Sequence, residues 1–144
     1  MPAAPKFIAR RTQVTIGSND LDCVMRKVAL TPEDTEIDTA TFCSPGDREY
    51  GTTMWTLELD VLQSFGDGGA TNDGLHDMLA PLEKSVAACT LMTDKAVTPA
   101  TPAKPHFTFE VSVPTIPIID AEIGEKSEFS LTFPVVGAIV KVES

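Results

Sequence analysis

A few groups of residues in this 144-residue chain are of the types that chemistry requires. His76 lies close in sequence to Asp73 and Asp77, three side chains that can bind a metal ion. They are hard and borderline ligands on one short stretch, with no second pair to complete a coordination shell. A polar helix face accounts for them better. Cys43 or Cys89 with His106 would be a thiolate–imidazole pair, yet no local signature surrounds either cysteine, and such a nucleophile needs its base within hydrogen-bond reach. The run GDGG at Gly66–Gly69 lacks the lysine and following Ser/Thr of a phosphate loop and reads as a turn. Glu58 with Asp60, and Asp20 with Asp22, stand two residues apart and so share one face of a strand. Glycosidase-type chemistry needs carboxyl groups opposed across a cleft. The expectation is a protein that is not an enzyme and uses no cofactor or metal.

Composition narrows the partners. The formal net charge is −10, with acidic residues spread along the chain. A nucleic-acid grip needs clustered Lys and Arg to displace counterions from phosphates, and an anionic membrane surface asks for the same. Cys23, Cys43 and Cys89 are an odd number at wide spacing, neither a disulfide framework nor a zinc motif. They are expected to act as small apolar residues in a reducing compartment. The N-terminal stretch has no apolar run of signal-peptide length, and no segment approaches the roughly 20 apolar residues of a membrane span. A soluble protein made in the cytoplasm, without membrane insertion, is the expectation.

The elements that would position these groups are mostly strands. Residues 1–11 carry prolines, Lys6, Arg10 and Arg11 and little to bury, which predicts an arm ordered only where something holds it. Gln13–Ile16 predicts a short strand before the Gly17–Asp20 turn, and Leu21–Leu30 a second. Thr31–Asp34 punctuates the chain, and Glu36–Cys43 predicts another strand from its Thr, Ile and Phe content. After a loop at Ser44–Gly51 comes the clearest strand, Thr53–Gln63, where Trp55, Leu57, Leu59 and Val61 alternate with Thr56, Glu58 and Asp60. FGDGGATN at 65–72 is a turn. Asp73–Glu83 is the one helix, capped by Asn72 or Asp73, with Leu75, Met78, Leu79 and Leu82 on one face and Pro81 shortening or kinking its end.

Further strands are expected at Ser85–Met92, Phe107–Val113 and Phe129–Phe133, with a last one at Ala138–Val142 after Gly137. Between them, residues 94–105 form a Pro/Ala/Thr loop of extended, partly polyproline character. Pro114 and Pro117 limit Thr115–Ile119 to an edge or bulged piece. The sum is about seven to nine short strands in one domain spanning 1–144, mainly β, a sandwich or partly open barrel with one flanking short helix. Trp55, Leu57, Leu59, Phe107, Phe109, Phe129 and Phe133 are the expected core.

Two regions resemble the tail tube (major tail) proteins of long-tailed bacteriophages. The first is TATFCSPGDREYGTTMWTLELDV, Thr39–Val61. There a Thr/acidic strand ending at Thr41-Phe42 leads to a turn with Arg48, Glu49 and Gly51, then to the Trp55 strand. The second is the C-terminal part. A Pro-containing loop leads into FTFEVSVPTIPII, a turn at Gly124-Glu125, and SLTFPVVGAIV, with Phe129, Phe133, Val135 and Gly137 at the places of an F-x-x-x-F-x-V-x-G-like run. The likeness rests on the order and spacing of elements over about two-thirds of the chain; the N-terminal third contributes little to it.

The resemblance implies a structural virion protein of the tail, assembled in the host cytoplasm into hexameric rings that stack head to tail. Its partners would be itself and the tape measure, tail terminator and tail tip proteins, with double-stranded DNA only as non-specific cargo in the lumen. A shared lining of about twenty-four strands, about 4.8 Å apart and tilted about 40°, has a backbone diameter near 48 Å, about 40 Å after side chains. That admits a hydrated duplex. An acidic wall would repel phosphate where a basic one would hold it, which makes Glu58, Asp60 and Glu110 the lumen-facing candidates. Arg10, Arg11, Arg48, Glu49 and Tyr50 are the inter-subunit candidates, on the arm and the 44–51 loop; the 94–105 loop and the C-terminal strand are further contact segments. Two other readings compete: a capsid decoration or stabilising protein, and a β-sandwich ligand-binding module, for example for carbohydrate.

Overall fold

The computed structural model describes residues 3–4, 6–21, 24–38, 40–43, 46, 48–64, 75–118, 123–124 and 127–143. Expectations placed on Asp22, Cys23, Ser44, Pro45, the 65–72 turn, Asp73, Ile119 and Glu125 fall outside that set, as do the side chains of Arg48, Glu49, Tyr50, His76 and Asp77. The strands are β1 (Gln13–Ile16), β2 (Asn19–Asp20), β3 (Met25–Asp38), β4 (Arg48–Leu62), β5 (Val86–Met92), β6 (His106–Ser112) and β7 (Glu128–Val142). They form one antiparallel sheet in the order β2-β1-β5-β6-β7-β4-β3. The fold is mainly β, and the sheet is open.

Alternation decides which side is buried. Leu57, Leu59 and Val61 of β4 stand directly opposite Phe133, Leu131 and Phe129 of β7, and all six are buried. Val14, Ile16, Ala87, Cys89, Phe109 and Val111 join them in one contiguous cluster. Phe107 and Trp55 are only half-buried. The cluster is covered from the helical side by α1 (Leu75–Leu79), whose Leu75 and Leu79 are fully buried. The Leu75 N–H donates to the Ser64 hydroxyl at 3.1 Å, which ties the helix start to the end of β4. The α-helix ends at Leu79, ahead of the expected Glu83: from there the chain tightens into a single 3-10 turn, Ala80–Leu82, containing Pro81. A proline there removes an amide and clashes with the preceding turn.

Three strands are long where several short ones were expected. Thr31–Asp34 does not break the chain: β3 runs through it, with Pro32 opposite Trp55 and one irregularity between Asp34 and Glu36. β3 is the terminal strand of the sheet, so the missing amide of Pro32 costs no ladder bond on a second side. Ala40–Cys43 lies outside any strand. The expected loop at Ser44–Gly51 contracts, because Arg48–Gly51 belong to β4 and pair back onto β3. Phe129–Phe133 and Ala138–Val142 merge into β7, which carries a bulge opposite Thr108–Glu110 that contains Gly137 at φ +79°. That backbone conformation is open to glycine and strained for other residues. Thr115–Ile118 forms no strand; it is a strap that buries Ile116, whose N–H donates to Glu83 Oε1 at 2.9 Å. The 94–105 segment is compact rather than extended, folded by turns and by a Thr101–Lys104 bridge.

Phe133 is fully buried at the centre of the β4–β7 pairing. Phe133→Ala is expected to lower the unfolding free energy by about 3–5 kcal/mol in urea denaturation, and Val136→Ala on the exposed face by no more than about 0.5 kcal/mol.

Candidate functional site

The side of the sheet away from the core gathers the acidic candidates. Glu58 pairs with Thr132 and Asp60 with Ser130 across the β4–β7 ladder, while Glu110 of β6 pairs with Val136. Ser130, Thr132, Pro134 and Val136 are alternate residues of one strand, so Glu58, Asp60 and Glu110 share one face. Glu58 and Glu110 are exposed and Asp60 is half-buried, accepting a hydrogen bond from Ser130 Oγ. Between the acids stand Thr132, Pro134 and Val136 of β7 and, beside Glu110, Thr108 and Ser112. No Lys or Arg is among these positions. Two cations border the face: Lys27 of β3, directly opposite Asp60, and Arg26, which donates to Glu128 Oε2 at 3.1 Å on the same outward row of β7; nothing in the strand pattern of the sequence signalled either pairing.

A second feature is a protruding ribbon. β4 pairs with β7 only from Thr56 to Leu62, so Arg48–Trp55 is held by β3 alone. Eight residues at about 3.4 Å each carry this two-stranded ribbon about 27 Å beyond the shared sheet. Thr31–Glu36 and Thr52–Met54 are exposed along it, and Phe42, in the connection at its tip, is fully exposed. Two strands without a covered face are marginal in water. The ribbon carries three of the inter-subunit candidates, Arg48, Glu49 and Tyr50, on its returning strand.

The remaining two candidates lie on the arm. Arg10 is exposed, and Arg11 donates to Asp94 Oδ2 at 2.8 Å. Asp94 is buried, receives the Ala96 N–H on its other oxygen at 2.9 Å, and has Lys104 Nζ at 3.9 Å. The Lys95 N–H also donates to the Arg11 carbonyl. The arm is therefore fixed at its base, and ahead of that base Phe7 and Ile8 present apolar surface to solvent. An Asp just past a strand end is the usual start of an Asx turn, the one sequence signal that marks Asp94.

Where the ribbon leaves β7, a cleft of about 670 Å³ opens between Leu30, Thr53 and Trp55 on one wall and Leu91, Phe107, Gly137, Ala138, Ile139 and Lys141 on the other. It is the open end of the core. At the other side of the molecule, Ala9, Arg10 and Thr12 share a cavity with Met25–Val28, so the chain leading into β1 comes close to β3, the opposite edge of the sheet.

The nucleophile candidates stand on separate elements, and the metal candidates Asp73, His76 and Asp77 fall outside the described side chains. Burial pushes the Cys89 thiol up to about 12, and Cys43 is exposed in the connection at the ribbon tip. His106 is buried, with Nε2 3.2 Å from the Val97 carbonyl oxygen. Among the described residues no group of three His, Cys, Asp or Glu could hold a metal ion.

A thiol titrating near 12 stays protonated in the folded chain while its unfolded counterpart ionises near 9.0. The resulting stability is present below pH 9 and is lost as pH rises from 9 towards 12. Urea titrations across that window should show a falling stability whose slope flattens in Cys89→Ala; thiol reagents at pH 8 should label Cys43 and spare Cys89 until unfolding. Arg11→Ala leaves the Asp94 carboxylate without its closest cation and should cost about 1–3 kcal/mol, together with faster proteolysis within residues 3–11. No protein-family model matches the chain, and no curated protein matches it significantly.

Proposed function

We propose that this chain is the subunit of a phage tail tube: a non-enzymatic structural protein that forms hexameric rings, stacked head to tail into an acidic-walled conduit for double-stranded DNA. The observation that carries this reading is the placing of Glu58, Asp60 and Glu110 on one exposed sheet face without an interspersed cation. Turned inward, such a face repels phosphate and gives a passing duplex nothing to grip. Lys27, opposite Asp60, would mark the margin of the wall.

The open sheet supports the same reading. β2 and β3 are its two edge strands, and an exposed edge in an isolated subunit is a liability that ring closure removes. In this reading the sheet curls into a sandwich or partly open barrel flanked by α1, and the outer face of β5, β6, β7 and β4 is the subunit's share of the lining. The ribbon and the arm are the parts that reach neighbouring copies. Partners beyond the chain itself would be the tape measure, terminator and tip proteins of a tail.

Negative-stain electron microscopy of the purified protein tests the assembly. Six-fold rings or tubes with a bore of about 40 Å are expected; trimers would favour a capsid decoration protein, and a persistent monomer at high concentration would overturn both. Glu58→Lys/Asp60→Lys/Glu110→Lys should still form tubes but retain DNA in a salt-dependent way that the parent tubes do not.

A further inference from the structure

The cleft at the root of the ribbon is lined by groups that elsewhere would be core. Trp55 and Leu30 face Leu91, Phe107 and Ile139 across it, all half-buried. Its borders are backbone as well as side chain. From Val135 onward β7 pairs only with β6, and from Trp55 back to Arg48 β4 pairs only with β3, so among the described residues each strand shows the cleft an edge without a ladder. Apolar walls bounded by free strand edges fit an extended peptide, which gains main-chain hydrogen bonds along the edge and seats alternate side chains between the walls.

Charge selects the peptide. Asp34 stands exposed on the cleft side of the ribbon, opposite Thr53, whose hydroxyl donates to it at 2.6 Å; Glu33, opposite Met54, is on the other face, and Lys141 of the far wall is paired with Glu143 at 2.8 Å. Two exposed apolar segments of this chain could be inserted. Phe42 lies between the acidic residues Asp38 and Asp47 and would bring like charge against Asp34. The arm is the reverse case: Phe7 and Ile8 are flanked by Lys6 and Arg10, no acid occurs in residues 1–11, and their charge of +3 leaves −13 on the rest of the chain. Residues 6–10 belong to no helix or strand. Phe7 and Ile8 lie not in their own chain's cleft but beside Thr93, Asp94 and Pro102–Lys104, about 60% exposed.

We propose that the cleft between the ribbon and the second half of β7 is a docking site for the Lys6–Arg10 segment of a second copy of this chain, with Phe7 and Ile8 against Trp55 and Phe107 and a flanking cation against Asp34. The inference rests on the self-assembly proposed above and gives it a direction. Arm and cleft are different surfaces, so the contact is head to tail: each copy donates one arm and receives one, and the series either closes into a ring or continues from ring to ring. The Arg11–Asp94 ion pair fixes where the arm starts, leaving the segment before it to swing.

Disulfide trapping between two populations tests this, each in a Cys23→Ser/Cys43→Ser background so that only the buried Cys89 remains besides the probe. One carries Ala9→Cys and the other Ala138→Cys. After mixing, assembly and mild oxidation, a covalent dimer joining the two is expected, and little from either population alone. Asp34→Lys should raise the concentration needed for assembly at least tenfold, and adding Lys6→Glu/Arg10→Glu should restore it, which simple loss of folding would not allow. Rings that form normally without the mixed dimer, or a link found only within one chain carrying both cysteines, would overturn the docking site alone. Absence of any assembly by microscopy would overturn both it and the tube.

Discussion

The molecule depends on one strand serving two partners in succession. β7 places Glu128–Pro134 against β4 and Val135–Val142 against β6. Its first half supplies Phe129, Leu131 and Phe133 to the core, so the hydrophobic pattern fixes the register with β4: a slip of one residue would turn all three to solvent. Its second half must leave that ladder to reach β6. Pro134, which has no amide to donate, sits at the last β4 pair, and Gly137 takes the positive φ of the bulge. Sheet continuity, the direction of the ribbon and the mouth of the cleft all follow from that change of partner.

Because β7 leaves, β4 is longer than the partner that covers it. Its inner half is clamped on both sides and buried; its outer half has β3 alone. The same alternation that makes Leu57 and Leu59 core therefore makes Trp55 only half-buried, since the strand that would cover it has gone elsewhere. On the opposite face the change of partner has no such cost. Even-numbered positions of β7 stay outward through Val136, which is why acids from β4 and β6, far apart in sequence, come to lie on one surface.

Alternation in the sequence was enough to find β1, β5, β6 and the inner half of β4, because each buries one face and period two is then unambiguous. It failed where the face is not decided by burial. Thr31–Asp34 and Arg48–Gly51 have turn-forming composition, yet both are strand, held by the β3–β4 ladder; Thr31–Asp34 is exposed throughout and has no hydrophobic period to betray it. Proline misled in both directions: Pro32 is tolerated on an edge strand, whereas Pro114 and Pro117 bound a strap with Ile116 buried. For the candidate surfaces, the strand addresses of Glu58, Asp60 and Glu110 were legible. Their sharing a face was not, since it requires the β4–β7 and β6–β7 registers; the sequence can mark Asp94 as the start of an Asx turn, but neither its pairing with Arg11 nor that of Lys27 with Asp60 has a signal that survives without tertiary structure.

Charge and exposure together constrain how such a subunit could assemble. A chain of net charge −10 repels its own copies, and the repulsion is strongest where acids are densest, along the ribbon. Contacts built from the acidic face or ribbon alone would work against that field. An arm of opposite sign, carrying its own apolar pair and anchored at Arg11, is the part of this molecule whose approach to another copy the field favours. Pairing it with a cleft rather than with a flat surface confines the attraction to one orientation, so that the face of Glu58, Asp60 and Glu110, bordered by Lys27, stays available as a wall.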